Sequence, residues 1–296
     1  MKRIVILTTI ALATMALNAS AQTYQIESSA DEVIRYWDNS TAPHSNNETE
    51  PETLVGRGYK SFRLEHTSDT YFYTFKAQNP TGHAVVVFPS GGYSAVNVSF
   101  SLAEWLRECG ITAMVVKYRL PNGVKEVPLE DAAAAISYLR QNAQRLGIDP
   151  QKVGVLGASA GGHLAAWSSN VLEGEQKPNY AVLLYPAISG EIWACKVHWL
   201  CFKELLGKWC TGADIETVSV NRLVTAQTPP TLILHSDDDL IAPSYGSILY
   251  YKALKQYGVK ASMHIFPVGD HGWQSHKDFL YRNLWRESVK DWILAH

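Results

Sequence analysis

The sequence predicts an α/β architecture, a mostly parallel central sheet with helices on both faces, and three features carry that prediction. Short apolar runs rich in β-branched residues recur along the chain: AVVVF (84–88), TAMVVKY (112–118), VGVL (153–156), AVLLY (181–185), TLILH (231–235) and ASMHIF (261–266). Most are apolar at consecutive positions, as strands buried on both faces are. Helical segments separate them, which demands crossover connections and therefore parallel pairing. No internal repeat, low-complexity tract or linker divides residues 61–296, which read as a single domain.

The elements follow in order. Lys2 and Arg3 precede an apolar stretch from Ile4 to Leu17 that ends in Ala19-Ser20-Ala21, the pattern of a secretory signal peptide over residues 1–21, cut between Ala21 and Gln22. The stretch is short for a membrane span and no cysteine follows it, so no stable membrane anchor is expected and the mature protein is secreted or periplasmic. Residues 22–60 form a polar lead-in, read as loop because HSNNETEPE (44–52) has no apolar period. Alternation begins at Phe62, and YFYTF (71–75) is a strand. FSLAEWLREC (100–109) is a helix stopped by Gly110, and residues 129–146 form a longer one followed by Gly147. Further helices are expected from about Ala160, over 244–258 and over 277–296.

With 46% hydrophobic and 18% charged residues the chain can bury a large core, and disorder is excluded. Net charge is −2 and the 26 basic residues form no block, so neither nucleic acid nor an anionic membrane is indicated as a partner; a small neutral substrate is the default. Four cysteines suit an oxidising compartment. Cys195, Cys201 and Cys210 crowd one segment where one bridge is compatible, with the pair left open, and the lack of CxxC spacing argues against a metal site.

Chemistry enters at VGVLGASAGGHLAAW (153–167). Gly157-Ala158-Ser159-Ala160-Gly161 fits G-x-S-x-G between a strand and a helix, the setting that pushes a serine oxygen out of the sheet. The helix N-terminus favours the negative charge that develops during acyl transfer. A hydroxyl alone is a poor nucleophile and needs a histidine base and a carboxylate to orient it. TLILH runs into SDDDLIAP, with aspartates at 237, 238 and 239, and ASMHIF runs into PVGDHGW, with His271 in a glycine-flanked loop. Serine, acid, histidine, each just past a strand, is the order of an α/β-hydrolase. His235, His264 and His276 are rivals to His271, of which His264, inside a strand, and His276, at the start of a helix, are less free to reach a neighbouring loop; any of the three aspartates could be the acid. An oxyanion hole is expected from the N–H of Ala160 and from FPSGGY, where Gly91 and Gly92 let the backbone approach a substrate carbonyl. Tyr93 is placed on the pocket wall. Residues 189–225 read as a small lid insertion carrying Trp193, Trp199 and Trp209, of which Trp193 and Trp199 are expected at the substrate pocket, where exposed rings would stack on sugars.

The runs FPSGGYSAVNVSFSLAEWLRECGITAMVVKYRLP, PLEDAAAAISYLRQNAQRLGIDPQKVGVLGASAGGHLAAW, VTAQTPPTLILHSDDDLIAP and HIFPVGDHGW resemble the secreted esterase, acetyl-xylan-esterase-like branch of the α/β-hydrolases, near the hormone-sensitive-lipase-like and dienelactone-hydrolase/prolyl-oligopeptidase relatives. The resemblance spans roughly residues 60–285. It implies Ser159 as nucleophile, His271 as base and, counting four residues on from His235, Asp239 as the acid, with Asp238 in reserve. Ser90 stands where the family's oxyanion loop has its first glycine. The implied activity is a serine carboxylesterase that releases acetate from xylan or xylo-oligosaccharides without metal or organic cofactor. A general short-chain or feruloyl esterase, a serine peptidase of the same fold and a silent binding protein on this scaffold are the competing readings. Oligomeric state is not legible in the sequence.

Overall fold

The computed structural model describes residues 28–58, 61–190 and 196–296. The expected signal peptide therefore lies outside the described residues, as do Trp193 and Cys195. The sheet has eight strands: β1 (Glu32–Asp38), β4 (Asp69–Phe75), β5 (Ala84–Phe88), β7 (Thr112–Lys117), β8 (Val153–Ala158), β9 (Ala181–Leu184), β10 (Thr231–Ser236) and β11 (Ala261–Phe266). Their spatial order is β1-β4-β7-β5-β8-β9-β10-β11, parallel from β7 to β11 and antiparallel at the β1-β4-β7 edge. A second sheet joins β2 (Thr53–Gly58), β3 (Ser61–Glu65) and β6 (Val96–Ser99).

Strands β5, β7, β8 and β9 are buried at every residue, so helices cover both faces. Helix α1 (Ser101–Glu108) meets α8 (Arg282–Leu294) through the edge-on pair Trp105–Trp285, 5.9 Å apart. Helix α2 (Glu126–Gln141) packs on α4 (Ala160–Val171). The remaining helices are α3 (Ala143–Leu146), α5 (Lys196–Leu206), α6 (Gly212–Glu216) and α7 (Ser244–Gln256). Chain direction fixes where chemistry can occur. After β5 the chain crosses to β7 on one side, and after β8 it moves to β9 on the other, so the crevice at the carboxyl ends of β5 and β8 is the switch point of the sheet.

Several boundaries differ from expectation. The lead-in read as loop contains β1 and β2; β1 is a bulged edge strand with both faces partly wet, so its residues EVIRYWD carry no buried alternation to read. The long helix expected over 129–146 starts at Glu126 and breaks at Asn142, whose side chain bonds back to the Tyr138 carbonyl at 2.9 Å. The closing helix begins at Arg282 rather than 277, because the preceding residues form an aromatic turn in which Phe279 stacks on Trp273, 5.0 Å apart. Cys109, Cys201 and Cys210 are free thiols, so the bridge that their crowding allowed does not join Cys201 to Cys210.

The lead-in is locked to the main sheet by a buried ion pair. Asp131 on α2, fully buried, accepts from Arg119 Nε at 3.0 Å, Arg119 Nη2 at 2.8 Å, the Arg119 backbone N–H at 2.7 Å and Trp37 Nε1 of β1 at 2.6 Å. Arg119 Nη1 also donates to the His44 carbonyl at 2.6 Å. Removing one partner strands a buried charge. Asp131→Ala is therefore expected to lower unfolding free energy by about 3–5 kcal/mol, measured by urea denaturation.

Candidate active site

The strand-to-helix corner at Ser159 is steric in origin. Ser159 has φ 57° and ψ −121°, a conformation a side-chain-bearing residue keeps only when its surroundings impose it. Three backbone bonds pin it: its N–H donates to the Leu184 carbonyl at 3.0 Å, and its carbonyl accepts from His163 at 3.0 Å and Ala187 at 3.1 Å. The flanking glycines are there because nothing larger fits. A Cβ on Gly157 would sit 2.0 Å from the Gly161 carbonyl oxygen, and one on Gly161 would sit 2.2 Å from that of Phe88 and 2.4 Å from that of Pro89. The second clash matters most, because it lets α4 press against the loop that leaves β5.

That loop carries the other expected oxyanion residues. Gly91 has φ 140°, and a Cβ there would lie 1.9 Å from the Ala95 carbonyl oxygen; Gly92 follows at φ 67°. The turn closes through Ser94 and Ala95 N–H groups bonding the Gly91 carbonyl at 3.2 and 3.1 Å. Tyr118 Oη donates to the Pro89 carbonyl at 3.0 Å, and the Asn97 N–H to the Ser90 carbonyl at 2.8 Å. Helix α4 starts at Ala160, whose N–H belongs to the first turn and has no carbonyl within the helix to bond. Gly92 lines the cavity that reaches Ser159, and Ala160 follows Ser159 directly at the start of α4.

His271 completes a hydrogen-bonded line with Ser159 and Asp239. His271 Nε2 lies 2.8 Å from Ser159 Oγ, and its Nδ1 lies 2.7 Å from Asp239 Oδ2. A carboxylate only accepts, so Nδ1 carries the proton and the Nε2 lone pair faces the serine hydroxyl. Asp239 is almost fully buried, and its Oδ1 takes the N–H groups of Ile241 and Ala242 at 2.9 and 2.8 Å. Burial pushes its pKa up, but hydrogen bonds from His235 and His271, the charge interaction with His271 and the Ala242 N–H outweigh it and hold the carboxyl at about 2. Asp238, the reserve acid, is exposed and does a different job: it accepts from the Gly269 and Asp270 N–H groups at 3.1 and 2.8 Å, bracing the loop that presents His271.

Other residues expected at the site lie elsewhere. Tyr93 does not line the pocket: it is 1% exposed, at φ 61°, and its hydroxyl bonds His163 Nδ1 at 2.9 Å. A tyrosine is large enough to anchor the oxyanion loop from beneath only by turning its ring into the core. Trp199 falls on α5, with its side chain outside the description, and Trp209 is 93% exposed. Of the rival histidines, His235 is fully buried, with Nε2 2.7 Å from the Ala242 carbonyl and 3.3 Å from Asp239 Oδ2, and Nδ1 2.8 Å from Ser247 Oγ. It supports the acid from below. His264 sits within β11, and His276 lines the cleft beside His271. Tyr185, read only as the end of a strand, packs edge-on to His271 with ring centroids 4.8 Å apart. His163 was equally unsignalled.

Two cavities flank the line of polar atoms. One of about 230 Å³ reaches Ser159 and is walled by Gly92, Ala187, Leu200, Cys201, Ile241 and Ala242 among others, so α5 of the lid insertion forms one side. The other, about 550 Å³ and far more polar, reaches His271, Tyr185 and Gln274. Among the described residues no cluster of side chains suited to a metal ion occurs, and no helix is long and apolar enough to cross a membrane.

Known proteins are similar to this chain in sequence and fold. The family model for the alpha/beta hydrolase fold matches residues 85–275. An acetylxylan esterase of Xylanibacter ruminicola is 32% identical over 257 residues, 81% of this chain and 52% of that protein. Endo-1,4-beta-xylanase B of Butyrivibrio fibrisolvens is 27% identical over 206 residues, 64% of this chain and 32% of that protein. The chain therefore spans about half and about a third of these relatives' lengths. The crystal structure of an acetyl ester-xyloside bifunctional hydrolase from Caldicellulosiruptor lactoaceticus superposes with a TM-score of 0.72 at 30% identity, covering 89% of this chain and 96% of that one.

The Tyr93–His163 anchor has a pH signature. The Val218 carbonyl accepts from His163 Nε2 at 2.7 Å, so Nδ1 must accept from Tyr93. Burial lowers the His163 pKa from 6.5 to about 4, against the opposing pull of that carbonyl. Between those values the unfolded chain binds a proton that the folded chain refuses, so stability falls as pH drops from 6.5 towards 4. Urea titrations at a series of pH values should show a loss of about 3 kcal/mol from this group across the window, and His163→Gln should flatten that limb.

Proposed function

The chain belongs to the α/β-hydrolase fold family, and we propose that it is a serine carboxylesterase whose substrates are acetylated xylan or xylo-oligosaccharides. The observation that carries the reading is the unbroken relay Ser159 Oγ, His271 Nε2, His271 Nδ1, Asp239 Oδ2, with 2.8 and 2.7 Å at its two bonds. The relatives' names supply the substrate class.

In the proposed reaction the ester carbonyl lies over Ser159 with its oxygen towards the N–H groups of Ala160, Gly91 and Gly92. His271 Nε2 takes the serine proton as Oγ attacks the carbonyl carbon, and the negative charge settles on the carbonyl oxygen. The imidazolium then protonates the departing alcohol, leaving an acyl group on Ser159. Water enters, gives its proton to His271 and releases acetate. Asp239, ionised at working pH, keeps the ring in the tautomer this requires. The cavity at Ser159, mostly apolar although Glu204 also lines it, suits the acyl group, and the more polar cleft at His271 suits the sugar alcohol that His271 must protonate. The N-terminal signal pattern supports export to where such polymers are met.

The 230 Å³ cavity exceeds the needs of an acetyl group, which favours a second reading: a general esterase of short acyl chains. A rate series from acetyl to hexanoyl p-nitrophenyl esters separates the two.

Acetate release from acetylated xylo-oligosaccharides is the direct assay. Wild type should release acetate and Ser159→Ala should not. Asp239→Asn should lower turnover by about 10⁴-fold with folding intact, because the ring adopts the wrong tautomer. Asp238→Asn, which disturbs only the loop bracing, should cost far less. A larger loss for Asp238→Asn than for Asp239→Asn would reverse the assignment of the acid.

A further inference from the structure

The cleft on the His271 side is rich in cationic side chains. Arg63, Lys277, Arg282 and Arg286 line it, with His276 beside them, and no carboxylate is among its described lining residues. General basicity does not explain this, since the whole chain has a net charge of −2. Arg63 is 3.7 Å from Glu65, a half-exposed pair of the kind that contributes little, and its Nη1 is 3.3 Å from Asn97 Oδ1. Arg282 Nη1 donates to the His276 carbonyl at 3.1 Å. Arg286 lies over the Trp105 ring at 5.1 Å, and its Nε is buried without a hydrogen-bond partner. Arg282 and Arg286 stand one turn apart on α8, where like charges repel, and Glu108 offsets part of that repulsion at Arg286 from a distance. Guanidiniums are thus kept together against that repulsion around a cleft that opens at His271.

We propose that this cleft is an anionic-sugar subsite on the leaving-group side: it holds the carboxylate of a uronic acid substituent carried by the acetylated oligosaccharide whose ester His271 addresses. The inference rests on the esterase reading above and narrows its substrate. An unsubstituted xylo-oligosaccharide offers only hydroxyls, which bring no further counter-charge to the guanidiniums. A uronate carboxylate matches the planar fork of an arginine, and the serine and amide side chains around the cleft suit the sugar hydroxyls. On this proposal the substrate departs from the small-neutral-substrate default drawn from the overall charge, because the informative charge is local.

The test compares acetate release from acetylated xylo-oligosaccharides of equal length with and without a glucuronic acid substituent. It is run for wild type at low and high salt, and for Arg282→Gln and Arg63→Gln, which lie on separate elements. The expected result is a kcat/KM about tenfold higher for the acidic substrate, a preference that shrinks with salt and collapses in Arg282→Gln. Equal kcat/KM on both substrates, with acetate released from each, overturns the subsite and leaves the esterase reading standing. Acetate from neither, with p-nitrophenyl acetate still cleaved, overturns the carbohydrate reading and this inference with it.

Discussion

Everything at this site depends on how closely the backbone of α4 approaches the end of β5. Gly157 and Gly161 leave no space for a Cβ, so strand, corner and helix meet at carbonyl contact and Ser159 is forced to φ 57°. The strain is of the order of 1–3 kcal/mol for a non-glycine residue. It is offset by the three backbone bonds that hold Ser159 and by the fully buried β8 beneath it. The same closeness brings the first turn of α4 against the loop that leaves β5, so Ser159 and the proposed oxyanion donors share a single geometric cause.

Around that corner, polar groups are paired in depth. His271 is held by Asp239 at one nitrogen and flanked by Tyr185; Asp239 is held by two N–H groups and by buried His235; His235 is held by Ser247. On the other side Tyr93 reaches through His163 to Val218, tying the Gly91-Gly92 turn to the end of the lid insertion. A site that stabilises charge by fixed dipoles needs this support, because a donor free to move would respond to charge only after reorganising.

The sequence made the parallel core legible because strands covered on both faces are apolar at nearly every position, and made the serine corner legible because its glycines are sterically obligatory. Edge strand β1 was hidden, since its residues face water on both sides and carry no period. Order along the chain pointed to Ser159 and His271, and the family resemblance, counted from His235, implied Asp239; the hydrogen bonds then separate Asp239 from Asp238, which the residues alone left open. Tyr93 was misplaced because a tyrosine next to a glycine turn reads the same whether its ring points outward or inward. The roles of His163, His235 and Tyr185 depend on contacts between segments remote in sequence, as with Tyr93 and His163 at a separation of 70 residues, and no local pattern encodes them. The cationic cleft is of the same kind: Arg63 comes from the small sheet and Arg282 from the last helix.

The central claim is that Ser159 becomes covalently acylated. Rapid quenching of the enzyme with p-nitrophenyl acetate, followed by mass spectrometry of its peptides, tests it most directly. One acetyl group on the peptide containing Ser159, absent when Ser159→Ala is treated in the same way, is the result this account predicts. Ester turnover with no acetylated intermediate, or acetylation at another residue that persists in Ser159→Ala, would contradict it.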